Sequence, residues 1–83
     1  MVKAMIVHDT YLYTVNPQDF DEIYDYMMKI TDGDHEISSD AASWCEIACV
    51  GETYEFREGY IEIEEDWLWQ NIQYILVVIM VTT

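Results

Sequence analysis

The chain has 83 residues, of which 17 are Asp or Glu and only 3 are Lys or Arg, a formal charge of −14 with both histidines neutral. That length predicts a single domain. A hydrophobic content of 52% excludes a disordered acidic tail, which stays unfolded for want of apolar surface to bury. With Lys3, Lys29 and Arg57 as the only cations, direct binding to nucleic acid or to an anionic membrane is all but excluded, because phosphate contacts come mainly from Lys and Arg.

Residues 2–15 alternate poorly but are rich in Val, Ile, Tyr and Thr, which favours strand. His8-Asp9 divides the stretch and leaves one bent strand or a hairpin open. Asn16 then reads as an N-cap with Pro17 at the first helical position and Asp19 on the helix's positive end. Phe20, Ile23, Tyr24, Met27 and Ile30 follow the spacing of one buried helical face, so a helix is expected from 17 to about 30.

Thr31-Asp-Gly-Asp reads as a turn. Ser39 or Asp40 would cap a second helix running to about Val50 and ended by Gly51, with Ala41, Trp44, Cys45 and Ala48 on its apolar stripe. The period then switches to two. A two-residue turn at Glu58-Gly59 would pair Phe56 with Ile61 and Tyr54 with Ile63, and would set Glu55 against Glu62 at a cost in stability. Asp66 to Asn71 fits either a helical turn or more strand, and Ile72 to Val81 reads as a strand apolar on both faces. The expected fold is α+β, a small antiparallel sheet with two helices packed on one face, within a single domain spanning 1–83.

Met-Val-Lys leads into Ala-Met-Ile-Val, too short an apolar run for a signal peptide. The most apolar stretch, Tyr74 to Val81, falls short of the roughly 20 residues a membrane helix needs. A cytoplasmic location is expected, inside a bacterial host.

Candidate chemistry is thin. Asp32-Gly-Asp-His-Glu36 suggests a calcium loop, but the position that should hold its bidentate Glu is Ser43. Cys45 and Cys49 lack the spacing and the second pair of a zinc site, and burial of both against the sheet explains them better. His8 and Asp9 in one strand would point to opposite faces and make no dyad. No glycine-rich phosphate loop exists. A non-enzymatic protein without metal or cofactor is therefore expected.

The acidic pattern is the informative feature. Glu62 and Glu64 would project from one strand face about 6.8 Å apart, widened into a patch by Glu55, Glu58, Glu65 and Asp66. Asp21, Glu22 and Asp25 would form a second ridge on the first helix, at spacings of about 5–6 Å. Such rows imitate the charge density of a nucleic acid backbone, and a groove lined with Lys and Arg could accept them in its place. Trp67 and Trp69 read as core or as interface anchors.

The stretch Ser39-Asp-Ala-Ala-Ser-Trp-Cys-Glu-Ile-Ala-Cys-Val-Gly-Glu-Thr-Tyr-Glu-Phe56, continued by Ile61-Glu-Ile-Glu-Glu-Asp66, resembles small acidic proteins carried by bacterial phages and mobile elements. In size and charge the chain also resembles phage inhibitors of the anti-CRISPR and anti-restriction type, several of which mimic nucleic acid. The resemblance is one of type and assigns no residue a role. It implies an inhibitor that docks its carboxylates on a basic nucleic-acid-binding protein, with a Cas effector as first candidate. The alternatives are an antitoxin or immunity protein against a basic toxin, and a homo-oligomeric assembly protein, a homodimer formed through Ile72–Val81.

Overall fold

A computed structural model of the chain describes residues 2–65. The elements run β1 (Val2–His8), β2 (Tyr11–Val15), α1 (Phe20–Ile30), α2 (His35–Ile47), β3 (Thr53–Phe56) and β4 (Gly59–Glu65). The strands form one antiparallel sheet in the order β2-β1-β4-β3, and both helices cover one face of it. This is the expected α+β arrangement. The readings of Asp66–Asn71 and Ile72–Val81, with Trp67 and Trp69, lie outside the described residues.

The opening stretch is a hairpin. Asp9 takes a positive φ of 54°, a conformation that a short polar side chain tolerates, and the two-residue connection sets His8 opposite Tyr11.

The first helix starts later than the sequence suggests. Asn16 accepts the Asp19 amide on its carbonyl at 3.0 Å and the Gln18 amide on Oδ1 at 2.9 Å. Residues 16–19 thus close a turn with Pro17 at its second position, where the fixed φ of proline is favoured. Asp19 is the cap, its side chain accepting from the Glu22 amide at 3.2 Å. An Asn-Pro pair serves a turn as well as a helix start, and here the turn wins.

The second helix starts earlier than expected. Gly33, at φ +90°, reverses the chain after α1. Asp34 follows at once as the cap and accepts the Ile37 amide at 3.0 Å. Ser39 and Asp40 lie in mid-helix, exposed. The helix stops at Ile47 with Ala48 as C-cap, so Gly51 belongs to the following loop. Cys49, expected to be buried beside Cys45, is exposed for the same reason.

The third correction concerns register. The β3–β4 turn is Arg57-Glu58, and Phe56 pairs with Gly59, Tyr54 with Ile61 and Thr53 with Glu62. Glu55 therefore faces Tyr60, which removes the expected repulsion between Glu55 and Glu62. A slip of two residues keeps every side chain on its face, so Tyr54, Ile61 and Ile63 still point inward.

The core lies between the sheet and the helix pair. Ala4, Ile6 and Val15 of the first hairpin and Ile61 and Ile63 of β4 meet Ile23 and Met27 of α1 and Ala41, Ala42 and Cys45 of α2. Full burial of each Ile contributes about 1.5–3 kcal/mol. The small side chains of α2 (Ser38, Ala41, Ala42 and Cys45, all buried) let the two helices approach closely.

Candidate protein-binding surfaces

The sequence-predicted acidic residues fall on two separate surfaces, divided by the sheet. Asp21, Glu22 and Asp25 lie exposed along α1. Glu55, Glu62 and Glu64 project from the sheet face opposite the helices, Glu55 exposed and the other two half-buried. Alternation places Glu65 on the helix side of the sheet's far end, where it is exposed. Glu58 sits in the β3–β4 turn, and its Oε2 is buried without a hydrogen-bond partner among the described residues. Asp66 lies outside the described residues. Among the described residues, the carboxylates that share the hairpin's outer face are thus Glu55, Glu62 and Glu64.

On the helical side, α1 packs over β1 and β2 and forms a cleft of about 490 Å³ lined by Tyr13, Tyr26, Asp21, Glu22, Asp25 and Lys29. Its floor is an aromatic array. Tyr13 and Tyr26 stack with ring centroids 4.0 Å apart, and Tyr26 meets His8 edge-on at 5.4 Å. The Tyr26 hydroxyl and His8 Nε2 share a hydrogen bond of 2.5 Å. The Tyr13 hydroxyl donates to the Glu22 carboxylate. That bond, with burial and the Glu22 charge added, holds the Tyr13 phenol above its ordinary pKa, and burial raises Tyr26 likewise. Of the ridge carboxylates, Glu22 is therefore tied to a neighbour within the fold.

At the other end, α2 packs over β3. Tyr54 donates to Asp40 Oδ2 at 2.9 Å and lies 5.5 Å from the Trp44 ring. Burial, then the Asp40 hydrogen bond and charge, push the Tyr54 phenol up to about 12.

The acidic part of the sheet face away from the helices is legible in the sequence, but its apolar part is not, because residues 2–15 alternate poorly. Cross-strand register arranges this face in rows. Leu12, Val7, Tyr60 and Glu55 form one row, Thr14, Met5, Glu62 and Thr53 the next, and Lys3 stands opposite Glu64 at the end. Neighbours across strands lie roughly 4.8 Å apart and rows about 6.8 Å. Leu12 is 61% and Tyr60 39% exposed, while Met5 and Val7 are half-buried by their neighbours. The signal for this face is the consecutive apolar run Ala4-Met5-Ile6-Val7, which a strand with one wet face does not need.

Other chemistry finds little support in the geometry. Burial pushes the Cys45 thiol up to about 12, the opposite of what a nucleophile requires. His35 shares a hydrogen bond with the Tyr24 hydroxyl at 2.5 Å, and Asp34 caps α2. Among the described residues, no group of three or more His, Cys, Asp or Glu side chains is placed to hold a metal ion. Among them also, no helix is long and apolar enough to cross a membrane. Compared with known proteins, the chain matches no family model, no curated protein and no solved structure.

Proposed function

We propose that this protein is a non-enzymatic inhibitor that occupies a basic, nucleic-acid-binding surface of another protein, with a Cas effector as the first target to test. One observation carries the reading. On folding, Asp21, Glu22, Asp25 and Glu55 stay exposed, and Glu62 and Glu64 stay half-exposed. Three basic residues cannot neutralise seventeen acidic ones, and a net charge of −14 exceeds the magnitude of about 2–8 that solubility asks of a small domain. A partner bearing Lys and Arg would relieve that self-repulsion and pair with the carboxylates through charge-assisted hydrogen bonds.

The test is capture of partners on the tagged protein from a bacterial lysate bearing a CRISPR system, eluted by a salt gradient and identified by mass spectrometry. The expected result is a nucleic-acid-binding protein that cognate DNA or RNA displaces. A specific partner that nucleic acid does not displace would replace this reading with that of an antitoxin or immunity protein. Retention of nothing at low salt would end it.

A further inference from the structure

The two acidic surfaces differ in what accompanies the charge. On α1 the carboxylates rim a cleft whose floor is closed by internal hydrogen bonds: Tyr13 to Glu22, and His8 with Tyr26. On the open sheet face, Glu62 and Glu64 stand beside an unbroken apolar strip formed by Leu12, Val7, Tyr60 and Met5, which no described residue covers. Protein interfaces draw most of their affinity from apolar and aromatic anchors that become fully desolvated, while rim charges set encounter rate and orientation. The sheet face offers both, side by side in one cross-strand array.

We infer that the open face of the sheet is the contact surface, and that its occupant is a protein element which is itself amphipathic, apolar along one stripe and flanked by Lys or Arg. The inference rests on the reading of a basic partner given above. Charge complementarity selects this occupant. A second copy of the chain would bring Glu55, Glu62 and Glu64 against their own equivalents, with −14 on each molecule. A purely ionic partner would leave Leu12 and Tyr60 without function. A basic amphipathic element satisfies both rows: its apolar stripe covers Leu12, Val7 and Tyr60, and its cations reach Glu62 and Glu64. Tyr60 would be the central anchor, since it is paired across the sheet with Val7 of β1 on one side and Glu55 of β3 on the other.

The test uses the full chain, isotopically labelled, titrated at low ionic strength with two synthetic peptides of equal positive charge. One is an amphipathic Leu/Lys helix former, and the other has every Leu replaced by Ser. Amide shift changes should gather on Met5, Val7, Tyr60 and Glu62, and the Leu-containing peptide should bind at least about tenfold tighter. Leu12→Ser with Tyr60→Ser should remove that preference, while Asp21→Asn with Asp25→Asn should leave it. Equal affinity for the two peptides, or shifts confined to α1, would overturn the inference but leave the basic partner in place. Failure of both peptides to bind would overturn the partner reading as well. Contacts to the Met5 methyl group from residues 66–83 or from a second copy, seen as nuclear Overhauser effects, would assign the face to that occupant and overturn the inference directly.

Discussion

Gly59 faces the Val7 carbonyl so closely that a β-carbon on it would stand 1.9 Å from that oxygen. The contact fixes how the second hairpin joins the first: Gly59 pairs with His8 across β1–β4 while pairing with Phe56 across β3–β4. Gly59→Ala should therefore destabilise the fold by about 3 kcal/mol, since the obstacle is backbone and cannot rotate away. Urea denaturation monitored by circular dichroism checks this. Glu58→Ala, one residue earlier, should cost far less.

The cap assignments separate cleanly by mutation. Asp34→Ala should lower stability by about 1 kcal/mol through loss of its bond to the Ile37 amide. Ser39→Ala, on an exposed helical position, should stay within about 0.5 kcal/mol of the parent. Paired denaturation curves decide it, and equal losses would put the helix start back near residue 39.

Ser38 of α2 is wholly buried, and among the described residues its hydroxyl has no hydrogen-bond partner. An unsatisfied buried hydroxyl costs stability, and alanine also has the better helix propensity. Ser38→Ala should raise stability by up to about 1 kcal/mol, with an unchanged m-value. A clear loss would mean that the hydroxyl is bonded in solution.

Alkaline pH should unfold the protein earlier than tyrosine ionisation alone would. The Cys45 thiol is raised by burial from 9.0 to about 12, and the Tyr54 phenol from 10.0 to about 12, by burial and then by Asp40. Both groups ionise more readily in the unfolded chain. Their stabilisation is complete below pH 9 and is lost as pH rises from 9 towards 12. The thiol alone gives a slope of about 1.4 kcal/mol per pH unit in that window. Thermal midpoints should be flat in this respect below pH 9 and fall above it. Cys45→Ala should delay the fall to about pH 10, where Tyr54 takes over.

The faces of these elements are legible in the sequence, and their ends are not. The spacing of Phe20, Ile23, Tyr24, Met27 and Ile30 reports burial directly, because a helix turns one side to the core whatever its exact start. Caps are ambiguous: Asp34, Ser39 and Asp40 can each accept an amide hydrogen bond, and only Gly33 beside Asp34 favours the true one. Register is harder still. A slip of two residues in β3–β4 leaves the alternation of Tyr54, Phe56, Ile61 and Ile63 untouched, so hydrophobic pattern cannot detect it. The close approach of Gly59 to Val7, which only the tertiary pairing creates, decides it. The candidate site suffered likewise. Carboxylates are visible as letters, but the strip of Leu12, Val7, Tyr60 and Met5 is assembled from three strands that the sequence does not place side by side.

The central pairing of the sheet joins the first described strand to the last one described. Val2 meets Glu65 and His8 meets Gly59, whereas each hairpin and the helix pair close over short distances along the chain. Local contacts form quickly, and those that span most of a chain form slowly. On a ribosome, β1 and β2 emerge early and must wait for β4. Ribosome-bound chains halted before Gly59 should be cut readily by protease at the N-terminal hairpin, and chains extending well past Glu65 should resist. Until β4 arrives, Ala4 and Ile6 lack their cross-strand partners Ile63 and Ile61, and during synthesis the nascent hairpin is an open template for any passing β-edge.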